Sequence, residues 1–82
     1  MNWPVNTTQQ VAEFMANLLL AGMKVEEVSV KGYEFALAWL TDQQPKDGDT
    51  YVSATMMARA SIWVKDAMPE ARRIFDLHYR SR

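Results

Sequence analysis

The side chains best suited to acid–base chemistry in this chain are its one histidine, His78, and the adjacent pair Glu26 and Glu27. Catalysis of this kind needs a base within hydrogen-bond reach of a nucleophile or of a second acid. His78 stands between a leucine and a tyrosine, and we expect it to face inward on a helix as a packed residue. Adjacent glutamates point in different directions, so we expect both to be solvated. The sequence therefore predicts no catalytic residues and a protein that is not an enzyme.

The residues that could bind a metal or a cofactor lack the number and spacing that such sites require. The chain has no cysteine, and a zinc site needs more ligands than a single histidine supplies. Asp47-Gly48-Asp49 matches part of a calcium loop, but such a loop also needs a bidentate glutamate at its twelfth position, so we interpret it as an Asp-Gly turn. The glycines Gly22, Gly32 and Gly48 are too scattered to cradle a phosphate. We predict no metal, no cofactor and no small-molecule substrate.

Positive charge is concentrated in the C-terminal part of the chain. Residues 53–82 carry six bases against three acids, whereas residues 1–52 carry three lysines against seven acids. A chain with two charged lobes suits association with another protein, because dedicated nucleic-acid binders are usually basic throughout. We predict Arg72, Arg73 and Arg80 as the electrostatic rim of a partner-binding site, and Trp63 or Trp39 as its aromatic anchor.

The stretch from Ser53 to Tyr79 must position most of these residues, and it holds the densest apolar stripe. Its apolar residues recur at helical three- and four-residue steps, namely Met56, Met57, Ala60, Trp63, Val64, Ala67 and Met68. Ser53 is the predicted N-cap, and Pro69 is expected to end this helix and begin another. The sequence therefore predicts helices over 53–67 and 69–79. The methionines are expected to fill an irregular core, with an adaptable partner groove as the alternative.

The N-terminal part predicts one clear helix and one ambiguous segment. Thr7 and Gln10 have the capping-box spacing, and Gly22 stands where a Schellman motif would end the helix, which predicts a helix over 7–21. From Lys24 to Thr41 two periods compete. Strict alternation at 33–39 favours a strand, whereas strong helix formers in the same stretch favour a helix over 30–41.

Taken together, these elements predict a mainly α fold with about four short helices, 7–21, 30–41, 53–67 and 69–79, in one compact domain spanning 1–82. The alternative is an α+β fold with a hairpin or small antiparallel sheet at 25–40, extending in one version to 50–57, flanked by helices. Residues 42–49 are polar and contain a proline and a glycine, which predicts a surface loop.

The expected function follows from surplus apolar residues without a reactive site. We expect a small non-enzymatic protein–protein interaction module that acts as a homodimer or docks on a larger protein as a regulator or inhibitor, a type of protein used by phages and mobile elements. The less favoured alternative is a nucleic-acid-binding regulator that uses the basic C-terminal helix. The apolar run 18–21 is far too short to span a membrane, and the cysteine-free composition fits a cytoplasmic protein with no membrane partner.

Overall fold

Three α-helices make up the described part of the chain. The computed structural model describes residues 7–42 and 52–80. Helix α1 spans Thr7–Leu20, α2 spans Val25–Asp42 and α3 spans Ala54–Arg80. These two ranges contain no strand, so the mainly helical class is confirmed, whereas the helices number three rather than four.

Helix α2 resolves the ambiguous segment, and the hairpin at 25–40 is wrong. The alternating aromatic residues lie on both sides of a buried row instead of on two faces of a strand. Phe35 stacks on Phe14 of α1 with ring centroids 4.6 Å apart, and Trp39 contacts Trp63 of α3. The helix also begins five residues earlier than predicted, since the Val28 N–H donates to the Lys24 carbonyl at 2.9 Å. Two glutamates in its first turn interact favourably with the helix dipole.

Helix α3 continues through Pro69, so the predicted break between 67 and 69 is wrong. Proline removes one helical hydrogen bond, whose acceptor would be the carbonyl of the exposed residue Lys65, where water can replace the lost donor. On the opposite side of the helix, Ala67 and Ala71 belong to one buried row that passes Pro69 without interruption. Packing on this row outweighs the local preference of proline for a helix start.

The predicted caps at Ser53 and Gly22 are present. The Met56 N–H donates to the Ser53 Oγ at 3.1 Å, as an N-cap serine requires. At the end of α1 the Met23 N–H donates to the Leu18 carbonyl at 3.1 Å and the Gly22 N–H donates to the Leu19 carbonyl at 3.0 Å. This pair of hydrogen bonds is the Schellman motif, and Gly22 has the left-handed φ of 94° that the motif needs.

Replacing Gly22 with alanine should destabilise the protein by about 1 kcal/mol, because a side chain at a left-handed φ is strained. Nothing lies within 4 Å of the added Cβ, so the loss reports backbone conformation and not a clash. Gly22→Asn should lose less, since asparagine tolerates this region. Urea denaturation followed by circular dichroism measures both variants, and an unchanged midpoint for Gly22→Ala would contradict the assigned cap.

The core is built from small side chains at the helix contacts. Each helix contributes four buried residues: Val11, Ala12, Met15 and Ala16 from α1, Val28, Gly32, Ala36 and Leu40 from α2, and Ala60, Val64, Ala67 and Ala71 from α3. Among them the largest fully buried side chains are only Met15, Val11 and Val28. Glycine and alanine let the helix backbones approach closely, which leaves little interior volume for bulky residues.

Gly32 marks the tightest of these approaches. A Cβ placed on Gly32 would lie 2.5 Å from the Met15 Sδ, 2.9 Å from its Cγ and 3.6 Å from the Val64 Cγ2. The three helices therefore meet at this point, with the Met15 side chain filling the space that a side chain at position 32 would occupy.

The last turn of α3 extends past the buried rows. With 27 residues, α3 is about 40 Å long at the usual helical rise. Every residue from Asp76 to Arg80 is exposed, whereas the nearest buried position is Ala71. Within the turn, Phe75 and Tyr79 stack on each other with ring centroids 5.6 Å apart.

Several expectations fall outside the described residues. The predicted surface loop is one of them, except for Asp42, which is the final residue of α2 and not part of a loop. The Asp47-Gly48-Asp49 turn also lies outside. The sheet extension to 50–57 is wrong where the structure describes it, since residues 54–57 belong to α3. Within the described ranges, none of the helices combines the length and the apolar character needed to cross a bilayer.

Candidate functional site

The three arginines predicted as an electrostatic rim are all exposed on α3. Neighbouring residues of an α-helix point about 100° apart, whereas residues seven apart share a side. Arg73 and Arg80 therefore lie on one side of α3, and Arg72 points toward another. The structure does not bring the three guanidinium groups into one patch.

Arg73 is engaged by Glu70 one turn earlier in α3. Its Nε donates to the Glu70 Oε2 at 2.9 Å, and its Nη2 donates to the Oε1, so the pair is bidentate. The hydrogen bond lowers the pKa of the Glu70 carboxyl and raises the pKa of Arg73. This pairing stabilises the fold above the ordinary glutamate pKa and is lost as the pH falls through the lowered value. Since both groups are in contact with water, the contribution is small, but the pair reduces the charge that Arg73 offers to a partner.

Arg72 belongs to a different surface, which it shares with Lys65. The two residues are seven apart on α3 and line one depression between α2 and α3. Val64 and Ser29 also line this depression, together with the side chain of Met68. A pair of exposed cations thus lies beside an apolar groove, an arrangement suited to a partner that is both apolar and acidic.

The two predicted anchors, Trp39 and Trp63, contact each other. Their rings meet edge to face with centroids 5.4 Å apart, joining α2 to α3. Both are partly buried against the core, so much of their area already serves the packing of the monomer. They form an aromatic pair at the edge of the core, not a projecting anchor.

Many large apolar side chains lie outside the core, which is built mainly from small residues. None of the aromatic side chains in the described ranges is buried. Val30 and Ile62 are each 56% exposed, and Leu77 is 54% exposed. The protomer therefore leaves several large apolar side chains on its surface, as folded proteins commonly do.

Three adjoining depressions form a continuous surface, here called the α2/α3 face. Its centre is lined by Ser29, Val30, Tyr33, Ser61 and Val64, its basic flank by Lys65, Met68, Pro69 and Arg72, and its acidic flank by Met23, Glu26, Glu27 and Lys31. The depressions are continuous because neighbours share residues: Val30 joins the acidic flank to the centre, and Val64 joins the centre to the basic flank.

The two flanks carry opposite charge. Lys65 and Arg72 are exposed on one side, and Glu26 and Glu27 are exposed on the other, as expected for solvated glutamates. The lysine of the acidic flank, Lys31, has its Nζ 3.6 Å from the Glu34 Oε2, which offsets its charge. The α2/α3 face is therefore apolar in the middle, negative along one edge and positive along the other.

His78 faces solvent, so the expectation of an inward-facing histidine is wrong. It lies in the last turn of α3, beyond the buried rows, and lines a depression with Ile74 and Leu77 of α3 and with Gln9, Glu13 and Asn17 of α1. The Gln9 amide donates to the Glu13 carboxylate at 3.3 Å. Among the residues that the structure describes, no three histidine or carboxylate side chains are grouped closely enough to hold a metal ion.

Sequence reasoning identified Arg72 as a site residue but not the α2 residues of the α2/α3 face. Val30, at the centre of the face, is one of the residues that sequence reasoning missed. It could have been found because it is an apolar residue on the polar side of α2, where an amphipathic helix normally has a charged residue. The acidic flank was missed because Glu26 and Glu27 were weighed only as catalytic groups. Comparisons of the chain with protein-family models, with curated protein sequences and with solved structures found no match.

Proposed function

We propose that this chain is a small, non-enzymatic protein–protein interaction module whose binding surface is the α2/α3 face. It acts as a dimer or by docking on a larger protein, which it regulates or inhibits, and a cytoplasmic setting belongs to the same proposal. The observation that carries it is the continuity of an apolar centre with charged residues at its edges, because protein interfaces combine an apolar core with a polar rim.

Exposure at the centre supports the same function. Val30 is 56% exposed although apolar, and its neighbour Tyr33 is half-buried. Tyrosine is among the residues enriched at interface cores, and burying such side chains on binding is favourable by about 25 cal/mol for each square ångström removed from water. A face with these residues gains from being covered by another protein.

The Val30→Asp variant should abolish association through the α2/α3 face, because it places a charge at the centre of the interface. Ile62→Asp is the matched control, since Ile62 has the same 56% exposure on α3 but lines none of the depressions of the face. Light scattering over a dilution series and affinity capture from an extract of the native host, each quantified for both variants, provide the measurements.

The expected result is that Val30→Asp loses association or capture at least tenfold while Ile62→Asp retains it, with similar thermal unfolding for the two variants. A wild-type chain that is monomeric throughout and captures the same proteins as Val30→Asp would overturn the proposed function.

The second candidate function is nucleic-acid binding through α3. Arg73 and Arg80 share a side of the helix, which favours this reading, but Arg73 is already paired with Glu70. A mobility-shift assay tests it with the Arg73→Ala/Arg80→Ala double variant, at low salt because phosphate contacts weaken steeply with added salt. Wild-type retardation that disappears in the double variant would support this function, and no retardation of any duplex or single strand would remove it.

A further inference from the structure

We infer that the occupant of the α2/α3 face is a second copy of this chain, seated with a two-fold axis along the groove between α2 and α3. This inference rests on the proposed function, because the face must first be a protein-binding surface. It goes further in naming the partner and the pairing of charged residues across the interface.

The charges of the face argue for a second copy over other partners. An acidic segment laid in the groove would be attracted by Lys65 and Arg72 but repelled by Glu26 and Glu27. A basic segment would be attracted by the two glutamates but repelled by the two cations. A partner with both charges on opposite edges of an apolar strip satisfies both flanks. The chain itself carries such a strip.

The position of the flanks along the groove fixes the symmetry. Met23, which belongs to the acidic flank, also lines a depression with Arg72 and Phe75, so the acidic residues and Arg72 lie near the same end of the groove. A two-fold axis parallel to the groove exchanges the two sides without exchanging the ends. It therefore places the acidic flank of each copy opposite Arg72 of the other, which makes the contact isologous.

The centre of the face pairs with itself in this arrangement. Because this axis exchanges the two sides, Val30 and Tyr33 on α2 of each copy face Ser61 and Val64 on α3 of the other, and the residues lining the centre include no charged group that would be buried without a counter-charge. The charged side chains remain at the edge, in contact with water, where they select the register more than they add affinity.

Charge reversal on each flank tests the pairing. Glu26→Lys/Glu27→Lys makes both flanks basic, and Lys65→Glu/Arg72→Glu makes both acidic, so each variant alone repels its own copy. We expect each to self-associate at least about tenfold more weakly than the wild type, because like charges placed opposite each other are costly. An equimolar mixture of the two should associate again as a heterodimer. Analytical ultracentrifugation over a dilution series, with one variant fluorescently labelled, measures all three samples.

The matched control is Asp42→Lys/Asp66→Lys, which makes the same change in net charge as Glu26→Lys/Glu27→Lys at exposed positions that line none of the depressions of the face. It should associate as the wild type does. Should reversal at the start of α2 unfold the protein, Glu26→Gln/Glu27→Gln replaces it, with a smaller loss expected and partial recovery on mixing with Lys65→Glu/Arg72→Glu.

A wild-type chain that stays monomeric, or a mixture that fails to recover association, would overturn the second copy as the partner. These results leave the proposed function separately testable, because Val30→Asp would still lose capture of a different protein if the face serves one. Loss in both flank variants with recovery only in their mixture is the result that supports the symmetric dimer.

Discussion

The Gly32→Val substitution should lower the free energy of unfolding by about 3 kcal/mol, the upper end of the usual cost of overpacking a core. The first atom of the new side chain would already lie 2.5 Å from the Met15 Sδ and 2.9 Å from its Cγ, and Met15 is fully buried, so its side chain would have to shift within the packed core. The branched carbons of valine would extend further toward the Val64 Cγ2, which is 3.6 Å from that first atom. Urea denaturation measured by circular dichroism gives the value.

Two comparisons isolate the clash from other effects of the substitution. Ala38→Val adds a β-branched residue at an exposed position of the same helix and should cost about 0.5 kcal/mol through helix propensity alone. Combining Gly32→Val with Met15→Ala should cost less than the sum of the two single variants by at least about 1 kcal/mol, because they share one volume. Strict additivity would show that the two residues do not compete for space.

Shortening Met15 to alanine should cost about 3 kcal/mol, the typical loss when a buried methionine side chain leaves a cavity. Met15 is the largest fully buried side chain in the described core, and its thioether packs where all three helices meet. Alanine has higher helix propensity, so the loss cannot come from the helix itself. The thermal unfolding midpoint and the urea midpoint should both fall.

Met57→Ala provides the matched control for this substitution. The side chain of Met57 is 42% exposed, and its removal should change the stability by no more than about 0.5 kcal/mol. Equal losses for the two methionines would mean that the core does not lie where the buried rows place it.

Local signals predicted the ends of the helices that depend on single residues. Gly22 and Ser53 act through hydrogen bonds to their immediate neighbours in sequence, so the Schellman motif and the N-cap are readable without tertiary information. The same local reading failed at Pro69, where packing of the alanine row on α3 keeps the helix continuous. Whether the helix continues through Pro69 depends on packing against α1 and α2, and the local sequence of α3 carries no information about that packing.

The candidate site shows a similar division. Exposure of Arg72, Arg73 and Arg80 follows from helical spacing, but the pairing of Arg73 with Glu70 and the alignment of Arg72 with Lys65 became clear only along a continuous α3. The stripe also placed Met57 in the core although the buried row begins at Ala60, because sequence spacing cannot tell how far a helix extends past its neighbours. The acidic flank required knowing that the start of α2 lies beside α3.

The exposed last turn of α3 implies a gradient of protection along one continuous helix. Amide hydrogens near Ala67 exchange with solvent only when the packed rows separate, whereas those between Asp76 and Arg80 are released by fraying of the last turn. That turn has its own backbone hydrogen bonds and the stacked pair Phe75 and Tyr79, but no buried row to hold it. The helical order of the last turn should therefore respond to temperature and solvent conditions, and depend less on the free energy of unfolding of the whole fold.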